Sequence, residues 1–403
     1  MKVNRRHFLG SAASLAAAAP KAADIEAIRK EFPRALGQVY LDAAAHIPLP
    51  RYTAEGMRRY IDFHTYGPGE GRGEWAAEAL RQVKPLFARL INAKPSEIAF
   101  VSCTKAGECA VVNGMRIQET GGNVVTNDLH YAGAIHDYVG RRKAGMDVRI
   151  VRHKDWRIDF RDMERAVDKR TRLVSITLVS NVNGWVEEAR RLSDLAHAHG
   201  AYIYADIIQA AGAVPVDVKA LGLDFAACSS YKWLQGARGA GYLYVREDLQ
   251  GTVVRDLCYP GYVHFNYEPW VPERDPALEE MPYNAPKSAS RYEPGNINYT
   301  AYAGHSEALK RMLAIGVENM YAHSKALCDR LRKELSGMGH RIITPPDAAS
   351  TMVVIQVKDL KGTMARLSKA NIQVTSAGKN RIRISPAIYN NMEDINRLLA
   401  AMA

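Results

Sequence analysis

The chain has 403 residues, 47% hydrophobic and 24% charged, enough apolar side chain for a large core and for two units, or one large unit with a smaller one appended. Its formal net charge of +11 is spread without an arginine-rich tract or an aromatic ladder, which argues against a nucleic-acid partner and for a basic surface around an anionic cofactor and substrate. The five cysteines, at 103, 109, 228, 258 and 328, form neither a CxxC pair nor a Cys/His cluster, so no metal site and no disulfide framework is indicated.

In chain order, the first feature is Asn4-Arg5-Arg6-His7-Phe8-Leu9-Gly10, which resembles the twin-arginine export motif, followed by a mild apolar run over 8–19. Residues 1–23 therefore read as a signal handled by the twin-arginine translocase, with a periplasmic or exported mature protein. The other reading is an alanine-rich helical extension on a cytoplasmic one. Lys2, Arg5, Arg6 and Lys21 all precede the first acid. The run is too short to span a bilayer and no later stretch is long enough, so no stable membrane anchor is expected.

From residue 90 onward, strand and helix signals alternate. Short β-branched or aromatic runs fall at 98–101, 123–126, 148–152, 173–179, 201–205 and 241–245, with helical stretches such as 162–167 and 191–199, the latter closed by Gly200. Repeated βα units imply an α/β fold, a mostly parallel sheet with helices on both faces. Residues 258–294, rich in proline and aromatics, read as long loops. Helices over 301–313 and 317–335, strands over 351–357 and 381–385, and a helix over 392–402 then make a small α+β domain. The expected division is a large domain over 24–295, whose first residues can rest on the small one, and a small domain over 296–403.

The chemistry is carried by Asp206-Ile207-Ile208-Gln209 and Ser229-Ser230-Tyr231-Lys232-Trp233. A lysine bracketed by small and aromatic residues, with an acid and an amide upstream, is what pyridoxal phosphate requires. The amine forms a Schiff base with the cofactor aldehyde, and the carboxylate keeps the pyridine nitrogen protonated so that the ring accepts electrons. Such sites lie at the C-terminal ends of parallel strands, where Asp206 and Lys232 are expected.

Further motifs occur in a fixed order: Val39-Tyr40-Leu41-Asp42-Ala43-Ala44-Ala45, Ser180-Asn181-Val182-Asn183-Gly184, Ala210-Ala211-Gly212, Val216-Asp217-Val218 and Gly239-Ala240-Gly241-Tyr242-Leu243. Together with the lysine motif they resemble the class V aminotransferase family of pyridoxal phosphate enzymes, the group with cysteine desulfurases, kynureninase and isopenicillin N epimerase, from about residue 25 to the C-terminus. The resemblance implies the fold type I architecture, a large domain with a mostly parallel seven-stranded-type sheet and a small C-terminal domain, and a homodimer with shared sites. It implies that Lys232 is the Schiff-base lysine, that Asp206 meets the pyridinium nitrogen, and that Gln209 and Asn181 lie by the ring 3-oxygen. Ser102-Cys103-Thr104-Lys105-Ala106-Gly107 matches the phosphate loop, where Thr104 supplies a hydroxyl and Lys105 either charges the phosphate site or points to solvent. Ser229 matches a second hydroxyl donor, and Tyr231 stands where many relatives have histidine. Asn296, in Tyr292-Glu293-Pro294-Gly295-Asn296, matches a position that reaches the neighbouring subunit's phosphate. His130 or Tyr131 stacks on the ring; the two stay open. Arg381-Ile382-Arg383-Ile384-Ser385 resembles the family's Arg-x-Ser strand. Its spacing favours Arg383 as the clamp for a substrate carboxylate, with Arg381 on the same face. His46 and Arg72 are further candidates for substrate contact.

The fold does not name the reaction. Racemisation, transamination and elimination share loss of the Cα proton of an amino-acid-type substrate, peptide- or siderophore-derived ones included. Val374-Thr375-Ser376-Ala377-Gly378-Lys379, read as the loop that carries a desulfurase's nucleophilic thiol, has no cysteine. The expectation is therefore an epimerase, transaminase or lyase, with persulfide-forming desulfuration disfavoured and the Tyr-Lys-Trp variant leaning towards the isopenicillin N epimerase-like subgroup.

Overall fold

A computed structural model describes residues 24–256 and 285–403; the expected export segment and most of the 258–294 loop lie outside them. The large unit is built on a seven-stranded sheet. Its strands are β2 (Ile98–Val101), β3 (Asn123–Asn127), β4 (Asp147–Val151), β5 (Thr171–Thr177), β6 (Tyr202–Asp206), β7 (Phe225–Ser229) and β8 (Gly241–Val245), after a short β1 (Val39–Tyr40) that belongs elsewhere. The spatial order is β2-β8-β7-β6-β5-β3-β4. The strands from β7 to β4 are parallel; β8 runs antiparallel to β7, and the edge strand β2 runs antiparallel to β8, hence in the direction of the parallel strands.

Both faces are covered, which is why the strands read as continuous apolar runs rather than alternations. Ile176, Ile203, Ala205 and Tyr242 face helices Arg72–Leu90, Ala189–Ala198 and Tyr299–Ile315; Leu173, Tyr204, Ala227 and Leu243 face helices Thr104–Gly114 and Ala132–Lys143. Each fully buried Leu or Ile contributes about 1.5–3 kcal/mol.

The sequence reading has no strand at β7. Phe225-Ala226-Ala227-Cys228-Ser229 lacks β-branched residues, so local propensity is poor; its small side chains exist to let a helix come close. Gly107 shows how close: a Cβ there would lie 2.7 Å from the Ala227 Cβ. Helices Arg51–Tyr66 and Arg72–Leu90 lie ahead of the strand and helix alternation that begins near residue 90.

The small unit is a four-stranded antiparallel sheet of β9 (Arg341–Ile342), β10 (Val353–Gln356), β12 (Thr375–Ala377) and β13 (Arg381–Ile384), ordered β12-β13-β10-β9. β11 (Ile372–Gln373) lies apart and pairs in parallel with β1. Val39 and Leu41 thereby enter the core of Leu331, Val353, Ile382 and Leu398. Helix Tyr299–Ile315, which the expected division after residue 295 assigns to the small unit, buries Tyr302, Leu309 and Met312 in the large unit's core. Among the described residues no helix is long and apolar enough to cross a membrane.

Because β7 cannot retreat, Gly107→Ala should push the Thr104 helix off the sheet. The expected cost is about 1–3 kcal/mol of stability, measured by denaturant unfolding, with weakened cofactor retention. Unchanged stability and retention would show that the close approach is not required.

Candidate active site

The site lies at the C-terminal ends of the parallel strands. Asp206 ends β6 and Ser229 ends β7, and Lys232 follows three residues later, only 8% exposed. Asp206 is buried with Oδ1 accepting the Ile208 N–H at 2.9 Å. Burial raises its carboxyl from 3.8 to about 7, with Glu108 adding to the rise, against the pull of the Ile208 N–H, Lys232 and Lys105. Burial likewise lowers the Lys232 amine to about 8, with Arg383 acting in the same sense and Asp206 and Asp42 opposing. A lysine held this way is deprotonated far more often than a surface lysine.

Helix Thr104–Gly114 begins beside these strand ends. The Thr104 N–H donates to Ser229 Oγ at 2.9 Å, and the two hydroxyl oxygens are 3.0 Å apart. The first-turn N–H groups have no intrahelical acceptor, so this end is suited to a phosphate. Tyr231 is half-buried, its ring 5.8 Å from Lys232 Nζ. Burial pushes its phenol up.

Lys105 does neither thing expected of it. Its Nζ is 3.0 Å from both Glu108 Oε2 and Asp137 Oδ2, so it is held by carboxylates on the helix flank rather than at the phosphate end or in solvent. Glu108, which the sequence reading missed, is buried, accepts from Ser175 Oγ at 3.1 Å and lies 3.7 Å from His130 Nε2. Its position one turn after Thr104 on the same helix face was the available signal.

Of the two ring candidates, His130 is buried and Tyr131 is exposed. His130 is buried against Ser175, with Nε2 3.4 Å from Ser175 Oγ, whereas Tyr131 is 46% exposed before helix Ala132–Lys143. His130 Nδ1 accepts the Tyr131 N–H at 2.7 Å, which puts the ring proton on Nε2. Burial lowers its pKa, favouring the neutral ring. Gln209 is engaged at both ends: Nε2 donates to Ala44 O at 2.9 Å, and Oε1 accepts the Trp233 indole N–H at 2.8 Å. One amide hydrogen is left to donate.

At the substrate end, Arg383 is buried and reaches across from β13. Nη1 donates to the Asn181 carbonyl at 3.0 Å and Nη2 lies 3.8 Å from Asp42 Oδ1, while Nε is buried with no partner among the described residues. Thr375 Oγ1 donates to the same Asp42 carboxylate at 2.6 Å. The free Nε edge is the edge a carboxylate takes bidentately. His46 is tied to Tyr40, whose hydroxyl lies 3.2 Å from Nε2 and donates to the His46 carbonyl at 3.0 Å. Arg72 is not brought to the site by any described contact. It bonds Gly67 O at 2.9 Å and Glu70 at 2.9 Å, closing the turn between helices Arg51–Tyr66 and Arg72–Leu90. Asn296 is exposed on this protomer, ahead of helix Tyr299–Ile315, so a role at a phosphate needs a second copy.

These donors fit pyridoxal phosphate: a buried carboxylate for the ring nitrogen, a buried amine for the aldehyde, and two hydroxyls at a helix N-terminus for the phosphate. Among the described residues no group of three or more His, Cys, Asp or Glu side chains is gathered as for a metal.

Comparison with known proteins agrees with this geometry. A probable cysteine desulfurase of Methanothermobacter thermautotrophicus is 30% identical over 328 residues, covering 78% of this chain and 76% of that protein. The apo structure of a cysteine desulfurase from Thermococcus onnurineus NA1 superposes with a TM-score of 0.82 at 22% identity, over 95% of this chain and 98% of that one. The cystine C–S lyase C-DES, in complex with its reaction product cysteine persulfide, superposes with a TM-score of 0.77 at 22% identity, over 92% of this chain and 98% of that one. Relatives of this kind overturn the expectation that persulfide-forming desulfuration is disfavoured. That expectation rested on a missing thiol in 374–379, and the structure shows that this stretch is no open loop. Thr375–Ala377 is β12, paired with β13 through a turn at Gly378, so the lack of cysteine there says nothing about the reaction. The family model described as Aminotransferase class-V matches residues 39–398. The chain thus belongs to the class V aminotransferase family, with the type I fold of its pyridoxal phosphate enzymes and pyridoxal phosphate as its cofactor.

Proposed function

We propose that this enzyme takes the Cα proton from a sulfur-containing amino acid of the cysteine or cystine type and cleaves its C–S bond. The observation that carries the Cα chemistry is the buried Lys232 amine, lowered by its surroundings and set electrostatically between Asp206 and the Arg383–Asp42 pair. The names of the relatives, cysteine desulfurase and cystine C–S lyase, direct the choice to sulfur.

Pyridoxal phosphate, when bound, supplies the electron sink that makes the substrate Cα proton acidic. Thr104, Ser229 and the first turn of the helix would hold its phosphate, and Asp206 its ring nitrogen. Arg383 receives the substrate carboxylate on its free edge and thereby orients the Cα–H bond towards Lys232. Lys232, poised between charged and neutral, takes that proton and can return it to a departing group. The neutral, buried His130 would lie against one face of the cofactor ring. Epimerisation would use the same residues but would leave the sulfur in place.

With loaded enzyme, L-cysteine or L-cystine should release sulfide or persulfide sulfur. Hydrogen exchange and inversion at Cα without sulfur release would overturn the C–S reading in favour of epimerisation. A second expectation concerns Asp206. Its folded-state pKa lies above the ordinary 3.8, so its contribution to stability is full below that value and lost as pH rises through about 7. In cofactor-free protein, Asp206→Asn should raise stability by about 1–3 kcal/mol at pH 8 and by much less at pH 5, seen as a pH-dependent difference in Tm. A difference of the same size at both pH values would mean that the carboxyl is not held out of water.

A further inference from the structure

Arg381 and Arg383 lie two residues apart on β13, so their side chains leave the same face of the strand, roughly 7 Å apart along it. Arg383 has Asp42 beside it; Arg381 has no acid among the described residues. Its Nε donates to the Ala377 carbonyl at 3.2 Å, and its Nη1 is buried without a hydrogen-bond partner among the described residues. The guanidinium carbon lies 4.6 Å from the centre of the Trp156 ring, a cation–π contact that fixes its orientation.

Trp156 is itself held in a costly way. Asp155 and Trp156 take left-handed backbone angles, with φ of 45° and 64°, unusual for residues with a Cβ. The Trp156 ring stacks on His153 with centroids 4.9 Å apart, and its carbonyl accepts from Asn183 Nδ2 at 2.7 Å. Asn183 belongs to the same 180–184 turn whose Asn181 carbonyl holds Arg383. One pair of large-unit loops therefore meets both guanidinium groups, and the one carboxylate recorded beside them among the described residues, Asp42, lies against Arg383. An uncompensated guanidinium that is partly out of water is unfavourable unless an anion arrives to meet it.

We propose that Arg381 is a second carboxylate subsite, and that the preferred substrate is an amino acid bearing a distal carboxylate, as a disulfide amino acid does at its far end. This rests on the reading of Arg383 as the α-carboxylate clamp and deepens the proposed C–S chemistry. Cystine carries its two carboxylates at the ends of an eight-atom chain, the chain length of suberate. Arg383 takes the near carboxylate and Arg381 the far one.

Isothermal titration of the holoenzyme with suberate and with octanoate, which match the chain length of cystine, reads this directly. Wild type should prefer the diacid by at least about 10-fold, the size of one charge-assisted bidentate contact. Arg381→Gln should bring the ratio near one, and Arg381→Lys should keep part of it. Turnover should follow the same pattern: the advantage of cystine over the cysteine–cysteamine disulfide, which lacks the far carboxylate, should be lost in KM in Arg381→Gln. Equal affinities in wild type, or a ratio that Arg381→Gln leaves unchanged, would overturn the proposal. Should Arg381→Gln fail to fold, the wild-type ratio and Arg381→Lys still decide it. A wild type that prefers suberate yet releases no sulfur from any substrate would overturn the C–S reading alone.

Discussion

Everything at this site depends on keeping one amine and one carboxylate out of water. Lys232 and Asp206 are both buried, and burial pushes each towards its neutral form. Left to themselves they would be a liability, because a buried charge without a partner costs several kcal/mol. The fold tolerates them because each meets a specific counterpart: the Ile208 N–H for Asp206, the nearby acids for Lys232, and the cofactor for both. The cofactor is thus part of the site's electrostatic balance as well as of its chemistry.

Holding that balance requires a dense frame. The Thr104 helix comes onto β7 at glycine–alanine distance, which brings the Thr104 and Ser229 hydroxyls together. From the other side, the segment from Val39 to Ile47 threads between the two units. It pairs with β11, its Ala44 N–H donates to Ser385 Oγ at 3.0 Å, its Ala44 carbonyl holds Gln209, and its Ile47 N–H donates to the Tyr231 carbonyl at 3.1 Å. A displacement of the small unit is therefore felt at the residues around Lys232 and at Arg383 together.

Much of this was legible before any coordinates. The order of short apolar runs gave an α/β sheet, and the position of Asp206 and Lys232 after two such runs put them at strand ends. What was not legible depended on contacts across the chain. β7 reads poorly because its alanines serve the approach of a helix, not strand propensity. Lys105 looked free to meet a phosphate because its second partner, Asp137, is 32 residues away. His130 and Tyr131 are adjacent and both aromatic; only their burial separates them. Arg72 looked like a site residue in a loop, and that loop turned out to be closed by Arg72 itself. The 374–379 stretch looked like an open loop in which a thiol should appear, and it is a strand in a tight hairpin.

The central claim is that the buried amine at 232 is the one that holds the cofactor. Borohydride reduction of the pyridoxal phosphate-loaded protein, followed by peptide mapping, tests it most directly. The account predicts loss of the visible cofactor band and a stable label on Lys232. A label on another lysine, or a loaded protein with no reducible band, would contradict it.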